Sequence, residues 1–189
     1  MSKKGLLIVF SGPSGVGKGT VRKHFQEDES LKLAYSISMT TREPREGEVD
    51  GKDYFFVTRE QFEEAVAKGE LLEYAEFVGN YYGTPLSYVE NLRNEGKNVL
   101  LEIEVQGMLQ VKEKCPEALT IFIVPPSIEE LERRIRGRRS EEEEIIQKRL
   151  AKAEKEMKLE SEYKFVVCND CAEEAAKKVA NIIKKHMEA

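Results

Sequence analysis

Three glycines and a lysine near the start of the chain have the spacing of a phosphate-binding loop. Gly12, Gly15 and Gly17 precede Lys18 in the stretch GPSGVGKGT. Glycines let the backbone turn so that successive N–H groups point at phosphate oxygens, and the lysine supplies a mobile charge for the β- and γ-phosphates. The pattern predicts binding of a nucleoside triphosphate. It specifies no reaction, because GTPases, motors and kinases all use such a loop.

The position that usually binds the metal departs from this pattern. Gly19 stands where Ser or Thr normally holds Mg²⁺, and Thr20 follows one residue late. We expect metal binding to depend on waters, on a carboxylate elsewhere and on Thr20. The alternative, a glycine-rich turn with a solvated lysine, is disfavoured by the apolar strand predicted before the loop and the helix predicted after it.

The rest of the chain predicts an α/β domain around a parallel sheet. Apolar runs alternate with helical patterns, as in βαβ units; the runs are Leu6–Phe10, Val99–Val105, Leu119–Val124 and Phe165–Cys168, with Leu33–Ser38 as a further strand. The alternation breaks between residues 36 and 93, which predicts an inserted lobe. Within it we expect strands at Tyr54–Val57 and Leu72–Val78, a helix at Arg59–Lys68, a turn at Tyr81–Pro85 and a helix at Leu86–Glu95.

Capping signals predict the helices that follow. Ser127 with Glu130, and Ser140 with Glu143, have the spacing of capping boxes; the second helix is expected to run to about Glu160. We interpret the acidic run 141–144 as a solvated helix start rather than a metal site. A final amphipathic helix at Ala172–Met187 should pack on the sheet.

Composition excludes several classes of function. A chain of 189 residues with net charge −5 fits one domain and disfavours a nucleic-acid binder. Short apolar runs and a polar start predict neither a membrane segment nor a signal peptide, so we expect a cytoplasmic protein. Three cysteines are too few for a disulfide framework, and a metal or redox role for Cys168 and Cys171 is disfavoured. Histidine chemistry is not expected from His24 and His186.

Four separated motifs resemble the guanylate kinase family in order and interval: GPSGVGKGT at 12–20, SISMTTREPREGEVDGKDYFF at 36–56, GNYYGTP at 79–85 and LEIEVQG at 101–107. The resemblance covers nearly the whole chain and includes a two-arginine loop that adenylate kinases lack in this form. It implies a P-loop nucleoside-monophosphate kinase fold, with a central parallel sheet flanked by helices. The implied parts are a core (1–35, 94–126 and 156–189), an inserted GMP-binding lobe (36–93) and a lid (127–155).

The resemblance also implies an acceptor site for GMP. The phosphate would be held by arginine forks and phenol hydroxyls, a geometry that suits a dianion; these residues are Arg42, Arg45, Tyr54 and Tyr82, with Arg149 from the lid. Guanine offers donors at N1 and N2, so carboxylates and hydroxyls should read it; the matching residues are Ser38, Glu73, Thr84 and Glu104. A basic surface loop is the alternative for the two arginines.

The family's donor site maps to the phosphate loop, the lid and one late segment. The implied ATP contacts are Gly12, Pro13, Ser14, Gly15, Val16, Gly17, Lys18, Gly19, Thr20, Arg134, Arg138 and Asn169. Catalytic roles are implied for Lys18, Arg42, Arg134, Arg138 and Arg149. Glu102 is the implied metal carboxylate, reaching Mg²⁺ through water, and strand alternation should place it with Glu104 on one face. Arg136 and Arg139 crowd the lid, which leaves open which arginine reaches the transferred group.

These residues together predict Mg²⁺-dependent transfer of the γ-phosphoryl group of ATP to GMP. The alternatives are a monophosphate kinase with another base preference, which the Glu73, Glu104 and Thr84 set disfavours, and a catalytically inactive protein-binding module of the same fold. Such modules typically have a damaged phosphate loop, whereas the glycines and Lys18 are intact here. The expected partners are ATP and GMP, with neither nucleic acid nor membrane, and both a monomer and a homo-oligomer are compatible with the sequence.

Overall fold

A computed structural model describes residues 3–137 and 142–188. Within them the strands are β1 (Leu7–Ser11), β2 (Leu33–Tyr35), β3 (Met39–Thr40), β4 (Phe55–Phe56), β5 (Leu71–Phe77), β6 (Asn80–Pro85), β7 (Asn98–Glu102), β8 (Leu119–Val124) and β9 (Phe165–Cys168). The helices are α1 (Lys18–Lys23), α2 (Arg59–Ala67), α3 (Leu86–Asn94), α4 (Val105–Lys114), α5 (Ile128–Gly137), α6 (Glu143–Met157) and α7 (Ala172–Glu188). Short 3₁₀ helices lie at Glu29–Leu31 and Glu160–Glu162.

The main sheet has the strand order β2-β7-β1-β8-β9, and every neighbouring pair is parallel. The central strand β1 is buried on both faces because consecutive side chains alternate between two cores. Ile8 and Phe10 pack with α1, α5, α6 and α7, whereas Leu7 and Val9 pack with α3 and α4. This arrangement confirms the predicted α/β fold with helices on both sides of a parallel sheet.

A second, four-stranded sheet has the order β4-β3-β6-β5 and is mostly antiparallel. The predicted turn at Tyr81–Pro85 is wrong, because this segment lies in β6 and pairs with both β3 and β5. Gly and Pro favoured a turn locally, but Pro85 is the last residue of the strand, where a missing N–H costs little. Helix α2 covers this sheet through Phe62 and Ala65.

Strands β8 and β9 have the predicted bounds, whereas the strand predicted at Val99–Val105 ends at Glu102. Glu104 instead caps the start of α4, whose Val105, Met108 and Val111 have helical spacing and are buried. Ser127 Oγ accepts a hydrogen bond from Glu130 N at 3.1 Å, as expected of a helix cap. The predicted cap at Ser140 lies outside the described residues, and α6 begins at Glu143 and ends at Met157, short of Glu160.

The final helix α7 confirms its predicted packing, since Ala176, Val179, Ala180 and Ile183 are all buried against the sheet. Among residues 3–137 and 142–188, no helix combines the length and apolar character needed to cross a membrane.

Candidate active site

The phosphate loop, Gly12–Thr20, joins the carboxyl end of β1 to α1. Gly15 and Gly17 have φ values of 85° and 92°, in the left-handed region that glycine adopts without strain. A Cβ atom on Gly12 would lie 2.6 Å from the Ile123 carbonyl oxygen, and one on Gly15 would lie 2.6 Å from Ile135 Cγ1. The surrounding core therefore leaves room for glycine alone at these positions, and the backbone conformation of the loop is fixed by its neighbours.

Lys18 is folded back onto this loop. Its Nζ donates hydrogen bonds to the carbonyl oxygens of Gly12 at 2.6 Å and Pro13 at 3.3 Å. Burial lowers the pKa of Lys18, and the negative charges of Glu102 and the more distant acids oppose that shift. The ammonium thus lies inside the loop, where a triphosphate would offer better partners than neutral carbonyls do.

Arg134 and Asn169 brace the phosphate loop from behind. Asn169 Nδ2 donates to Val16 O at 2.7 Å, and the two terminal nitrogens of Arg134 donate to Val16 O at 3.3 Å and Asn169 O at 3.0 Å. Glu130 holds Arg134 through its Nε at 2.7 Å. Asn169 is only 4 % exposed, so in this structure both predicted ATP contacts support the shape of the loop.

Arg149 approaches the loop from α6, where its Nη2 donates to Ser14 Oγ at 2.9 Å. This contact brings an arginine of α6 to the residues that are expected to bind the donor phosphates. Arg138, the other arginine predicted to reach the transferred group, lies outside the described residues.

The two candidate metal residues, Glu102 and Thr20, lie on β7 and α1. Glu102 is the last residue of β7, and its carboxylate is 3.3 Å from Arg22 Nε in an ion pair without hydrogen-bond geometry. Thr20 is exposed on α1, and no atom lies within 4 Å of a Cβ built on Gly19. In the described part of the chain no group of three or more acidic, histidine or cysteine side chains has an arrangement that could hold a metal ion. One carboxylate and one hydroxyl nevertheless fit Mg²⁺, which takes most of its ligands from phosphates and water.

A cleft of about 290 Å³ opens between the second sheet and the end of β7. We call it the acceptor cleft. Six residues predicted from the sequence line it, namely Ser38, Tyr54, Glu73, Tyr82, Glu102 and Glu104. The expectation that Glu102 and Glu104 share a cleft is therefore confirmed, although the reason differs, because Glu104 caps a helix and does not continue the strand.

The floor of the acceptor cleft is a buried carboxylate. Glu73 is 7 % exposed, and its Oε1 accepts a hydrogen bond from Thr84 Oγ1 at 2.6 Å. Burial raises the pKa of Glu73, with the Thr84 hydrogen bond opposing the shift. A Cβ on Gly107 would lie 2.6 Å from Glu73 Oε2. Gly107 was not predicted as a site residue, although it ends the LEIEVQG motif, and its missing side chain makes room for the carboxylate.

The two-arginine loop is organised by an acid that sequence reasoning missed. Glu48 accepts hydrogen bonds from Nη1 and Nη2 of Arg42 at 3.0 and 2.9 Å, and from the Arg45 backbone N–H at 2.8 Å. These bonds raise the pKa of Arg42 and lower that of Glu48. The Arg42 guanidinium lies over the Tyr54 ring, 5.3 Å from its centroid. Arg45 has an exposed side chain. Glu48 lies inside the same sequence motif as the two arginines, and this position was the signal from which its role could have been predicted.

Glu104 has a partner on α6 that sequence reasoning also missed. Lys152 of α6 places its Nζ 3.0 and 2.9 Å from the two carboxylate oxygens of Glu104. The acceptor cleft is thereby linked to the same helix that contacts the phosphate loop.

A glycine-rich phosphate loop at the carboxyl end of a parallel sheet, beside a cleft with a buried carboxylate, defines a P-loop protein of the α/β class with two neighbouring ligand sites. The sequence model described as guanylate kinase matches residues 4–186. The guanylate kinase of Lactococcus lactis is 58 % identical over 97 % of this chain and 89 % of its own length. That of Bacillus cereus is 57 % identical over 96 % and 89 %. This chain belongs to the guanylate kinase family.

Solved structures agree with this assignment. A crystal structure of guanylate kinase from Anaplasma phagocytophilum matches with a TM-score of 0.74 and 34 % identity, covering all of this chain and 89 % of that one. The SH3-kinase fragment of tight junction protein 3 matches with a TM-score of 0.51 and 13 % identity over 98 % of this chain and 58 % of that one. The second likeness shows a shared fold alone.

Proposed function

We propose that this protein transfers the γ-phosphoryl group of ATP to GMP, giving ADP and GDP. The observation that carries the proposal is the buried Glu73–Thr84 pair at the floor of a cleft that is also lined by Glu102, whose negative charge acts on Lys18 of the phosphate loop. A buried carboxylate is costly unless a ligand or partner satisfies it, and guanine brings the N–H donors that a carboxylate accepts. Family membership supports the same reaction.

On the donor side, the backbone of the phosphate loop and Lys18 bind the ATP phosphates. The proposed ATP-binding residues are Gly12, Pro13, Ser14, Gly15, Val16, Gly17, Lys18, Gly19, Thr20, Arg134, Arg138 and Asn169. Lys18 exchanges its two carbonyl partners for phosphate oxygens, and its charge balances negative charge that develops during transfer. Arg134 and Asn169 keep the Val16 carbonyl in place, which supports the loop from outside the ligand.

On the acceptor side, the GMP phosphate binds to Arg42, Arg45, Tyr54 and Tyr82, with Arg149 reaching it from the lid. Glu48 supports this assignment because it holds the Arg42 and Arg45 segment in one shape before the ligand arrives. The base is read by Ser38, Glu73, Thr84 and Glu104. In this assignment Thr84 donates to Glu73 and thereby orients the carboxylate toward guanine.

The chemistry needs no covalent intermediate and no general base, because the acceptor phosphate is already ionised. The chain aligns the two phosphates and neutralises their charge through Lys18, Arg42 and the lid arginines. Glu102 and Thr20 would hold Mg²⁺, Glu102 through water, and the ion would neutralise charge on the ATP phosphates.

We further propose that the parts of the chain move as a core (1–35, 94–126 and 156–189), a GMP-binding lobe (36–93) and a lid (127–155). The second sheet and its helix α2 fall inside the proposed lobe, and α5 with most of α6 falls inside the proposed lid. The cytoplasm is the proposed compartment. Free Cys115, Cys168 and Cys171 are consistent with a reducing environment.

The test is a coupled ADP-release assay with ATP, Mg²⁺ and each nucleoside monophosphate in turn. We expect GMP to be preferred over AMP by about a thousandfold or more in kcat/KM, because AMP lacks the N1 and N2 donors and leaves the buried Glu73 and the exposed Glu104 without those partners. Comparable turnover of another monophosphate would favour a kinase of different base preference. A lack of turnover with every monophosphate would favour a binding module.

A further inference from the structure

Lys152 occupies a position on α6 from which one helix contacts both ligand sites. Its Nζ lies 3.0 and 2.9 Å from the two oxygens of Glu104 in the acceptor cleft. Arg149, three residues earlier on the same side of the helix, contacts Ser14 of the phosphate loop at 2.9 Å. Leu150 and Ala153, each next to one of these two residues in sequence, bury the helix against the main core. A shift of α6 would therefore change contacts at both sites.

The Lys152–Glu104 pair differs from the ordinary ion pairs on this helix. Lys148, one turn earlier, pairs with Glu144 within α6 itself, and both side chains are about three-quarters exposed. Such pairs within one helix contribute little. Lys152 instead joins two elements that are 48 residues apart in sequence, and its partner lines the acceptor cleft. Lys148 is thus a matched control on the same helix.

The charges around Glu104 explain why it needs a cation. Glu73, Glu76 and Glu102 line the same cleft, so Glu104 adds a fourth carboxylate there. Their negative charges repel that of Glu104, and a paired lysine offsets this repulsion. A lysine that contacts both oxygens holds the carboxylate in place, and each oxygen keeps a lone pair for a further donor.

A second acid fixes the position of Lys152. Glu156, one turn later on α6, has a side chain 13 % exposed and an Oε1 atom 3.8 Å from Lys152 Nζ. Its Oε2 is buried and accepts no hydrogen bond within the described part of the chain. Lys152 therefore lies between two carboxylates, and it joins α6 to the acceptor cleft although its own side chain is half exposed and that of Glu104 about two-thirds exposed.

We propose that Lys152 is a positioning residue for the acceptor: it orients Glu104 toward the base, and through α6 it makes acceptor binding strengthen ATP binding. The inference rests on the proposed function, because it takes GMP as the acceptor. In a cleft without Lys152, GMP would have to order Glu104 as it binds, and part of its binding free energy would be spent there. Since Arg149 lies on the same helix, an ordered α6 also presents it to the phosphate loop.

The test compares the parent with Lys152→Met, Lys152→Arg and the control Lys148→Met. We expect Lys152→Met to raise the GMP KM about fivefold or more, with kcat changing less than about twofold and the ATP KM at saturating GMP rising only about threefold, through the weaker coupling. Lys152→Arg keeps the charge and should restore most of the loss. Lys148→Met removes the same charge from α6 and should match the parent. Equal increases in the KM values for GMP and ATP would overturn the proposal, because they would show only that the positive electrostatic potential around both ligands had weakened.

Calorimetry tests the coupling to the donor site. The dissociation constant of a non-hydrolysable ATP analogue is measured with and without GMP in each protein. We expect GMP to tighten analogue binding in the parent and Lys148→Met, and this effect to shrink about threefold or more in Lys152→Met. An unchanged effect in Lys152→Met would overturn the coupling.

A double-mutant cycle with Glu104→Gln tests whether Lys152 acts on GMP binding through Glu104. Lys152→Met should have almost no further effect on the GMP KM once Glu104 is neutral, whereas full additivity of the two changes would overturn the assignment. A parent that shows no GMP-dependent turnover would contradict the proposed function itself. An active parent with an unaltered Lys152→Met variant would contradict only the role of Lys152.

Discussion

The phosphate loop and the β5–β6 hairpin both contain residues with positive φ, but the two turns accommodate them in opposite ways. Both contain residues in the left-handed region, but the loop places Gly15 and Gly17 there, whereas the hairpin places Val78, with φ 50°, beside Gly79, with φ 75°. The loop glycines are enclosed by the core, while a Cβ on Gly79 would meet nothing within 4 Å. Val78 is 80 % exposed. One turn is held by its surroundings and the other stands free in solvent.

The chemistry of the two sites differs accordingly. The donor site depends mainly on backbone groups in one enforced conformation, with Lys18 as the charge at its centre. The proposed acceptor site depends on side chains from strands and loops, and two of them are oriented by another side chain: Thr84 orients Glu73, and Glu48 orients Arg42. We therefore expect one substitution in the donor loop to remove turnover, and single substitutions in the acceptor cleft to weaken it in steps.

The largest effect is expected from Lys18→Met. The variant should lose about 10³-fold or more in kcat, because the transferred phosphoryl group loses a fixed cation. Folding should be intact, since within the described residues Lys18 Nζ donates hydrogen bonds to two loop carbonyls and burial of its charge is costly. Steady-state kinetics and thermal unfolding measure the two quantities.

Lys23→Met is the matched control for this change. Lys23 is exposed at the end of the same helix α1, so its loss should leave both kcat and stability close to the parent. Near-normal turnover of Lys18→Met would show that the loop backbone is sufficient for phosphoryl transfer. The donor loop would then be no more sensitive to a single substitution than the acceptor cleft.

How far each site could be predicted from sequence follows from the distance over which its contacts act. The phosphate loop and the strands Leu119–Val124 and Phe165–Cys168 are encoded by neighbouring residues, and all three were predicted correctly. The segment Tyr81–Pro85 was misread as a turn because its strand character comes from pairing with β3 and β5. Local propensity could not reveal those partners.

The same limit applies to the side chains that support the sites. Glu48 lies six residues from Arg42, inside one motif, and could have been found there. Lys152 and Glu104 are 48 residues apart, and Asn169 and Val16 are 153 apart, so only the folded chain brings them together. The sequence suggested most of the groups proposed to bind the ligands, but not the groups that orient them.

Glu73→Gln should have the second-largest effect. We expect kcat/KM for GMP to fall about tenfold or more, because a charged acceptor becomes a neutral amide that keeps one acceptor oxygen. The ATP KM should barely move, and the exposed Glu70→Gln, just before β5, should behave as the parent. An unaltered GMP value would remove Glu73 from the base site.

The same variant tests the burial of Glu73 through the pH dependence of stability. Burial raises the pKa of Glu73 above its ordinary value, so the folded state binds this proton more tightly than the unfolded state. The free energy of unfolding of the parent should therefore fall as pH rises from the unfolded pKa through the folded one. Glu73→Gln should lack this loss, and its stability relative to the parent should grow across that window. Parallel urea-denaturation profiles would contradict it.

The smallest effect is expected at the free-standing hairpin turn. Val78 and Gly79 connect Phe77 to its partner Asn80, and two residues with positive φ in such a turn favour Asn-Gly. A β-branched residue is strained there, so Val78→Asn should raise the free energy of unfolding by about 1 kcal/mol. Gly79→Ala should lower it by a similar amount, about 1 kcal/mol, through backbone strain alone, since its Cβ would meet open space.

Gly15→Ala sharpens the contrast between the two turns, because it adds an overlap with Ile135 at 2.6 Å to the same backbone strain. Its loss of stability should exceed that of Gly79→Ala, and urea denaturation of the three variants gives the order directly.

If Val78→Asn instead lowered stability, the exposed valine would be making contacts that outweigh its strain. If it lowered kcat/KM for GMP with stability raised, the hairpin tip would be touching the acceptor, and strain at Val78 would be serving the acceptor cleft just as the enforced glycines serve the phosphate loop.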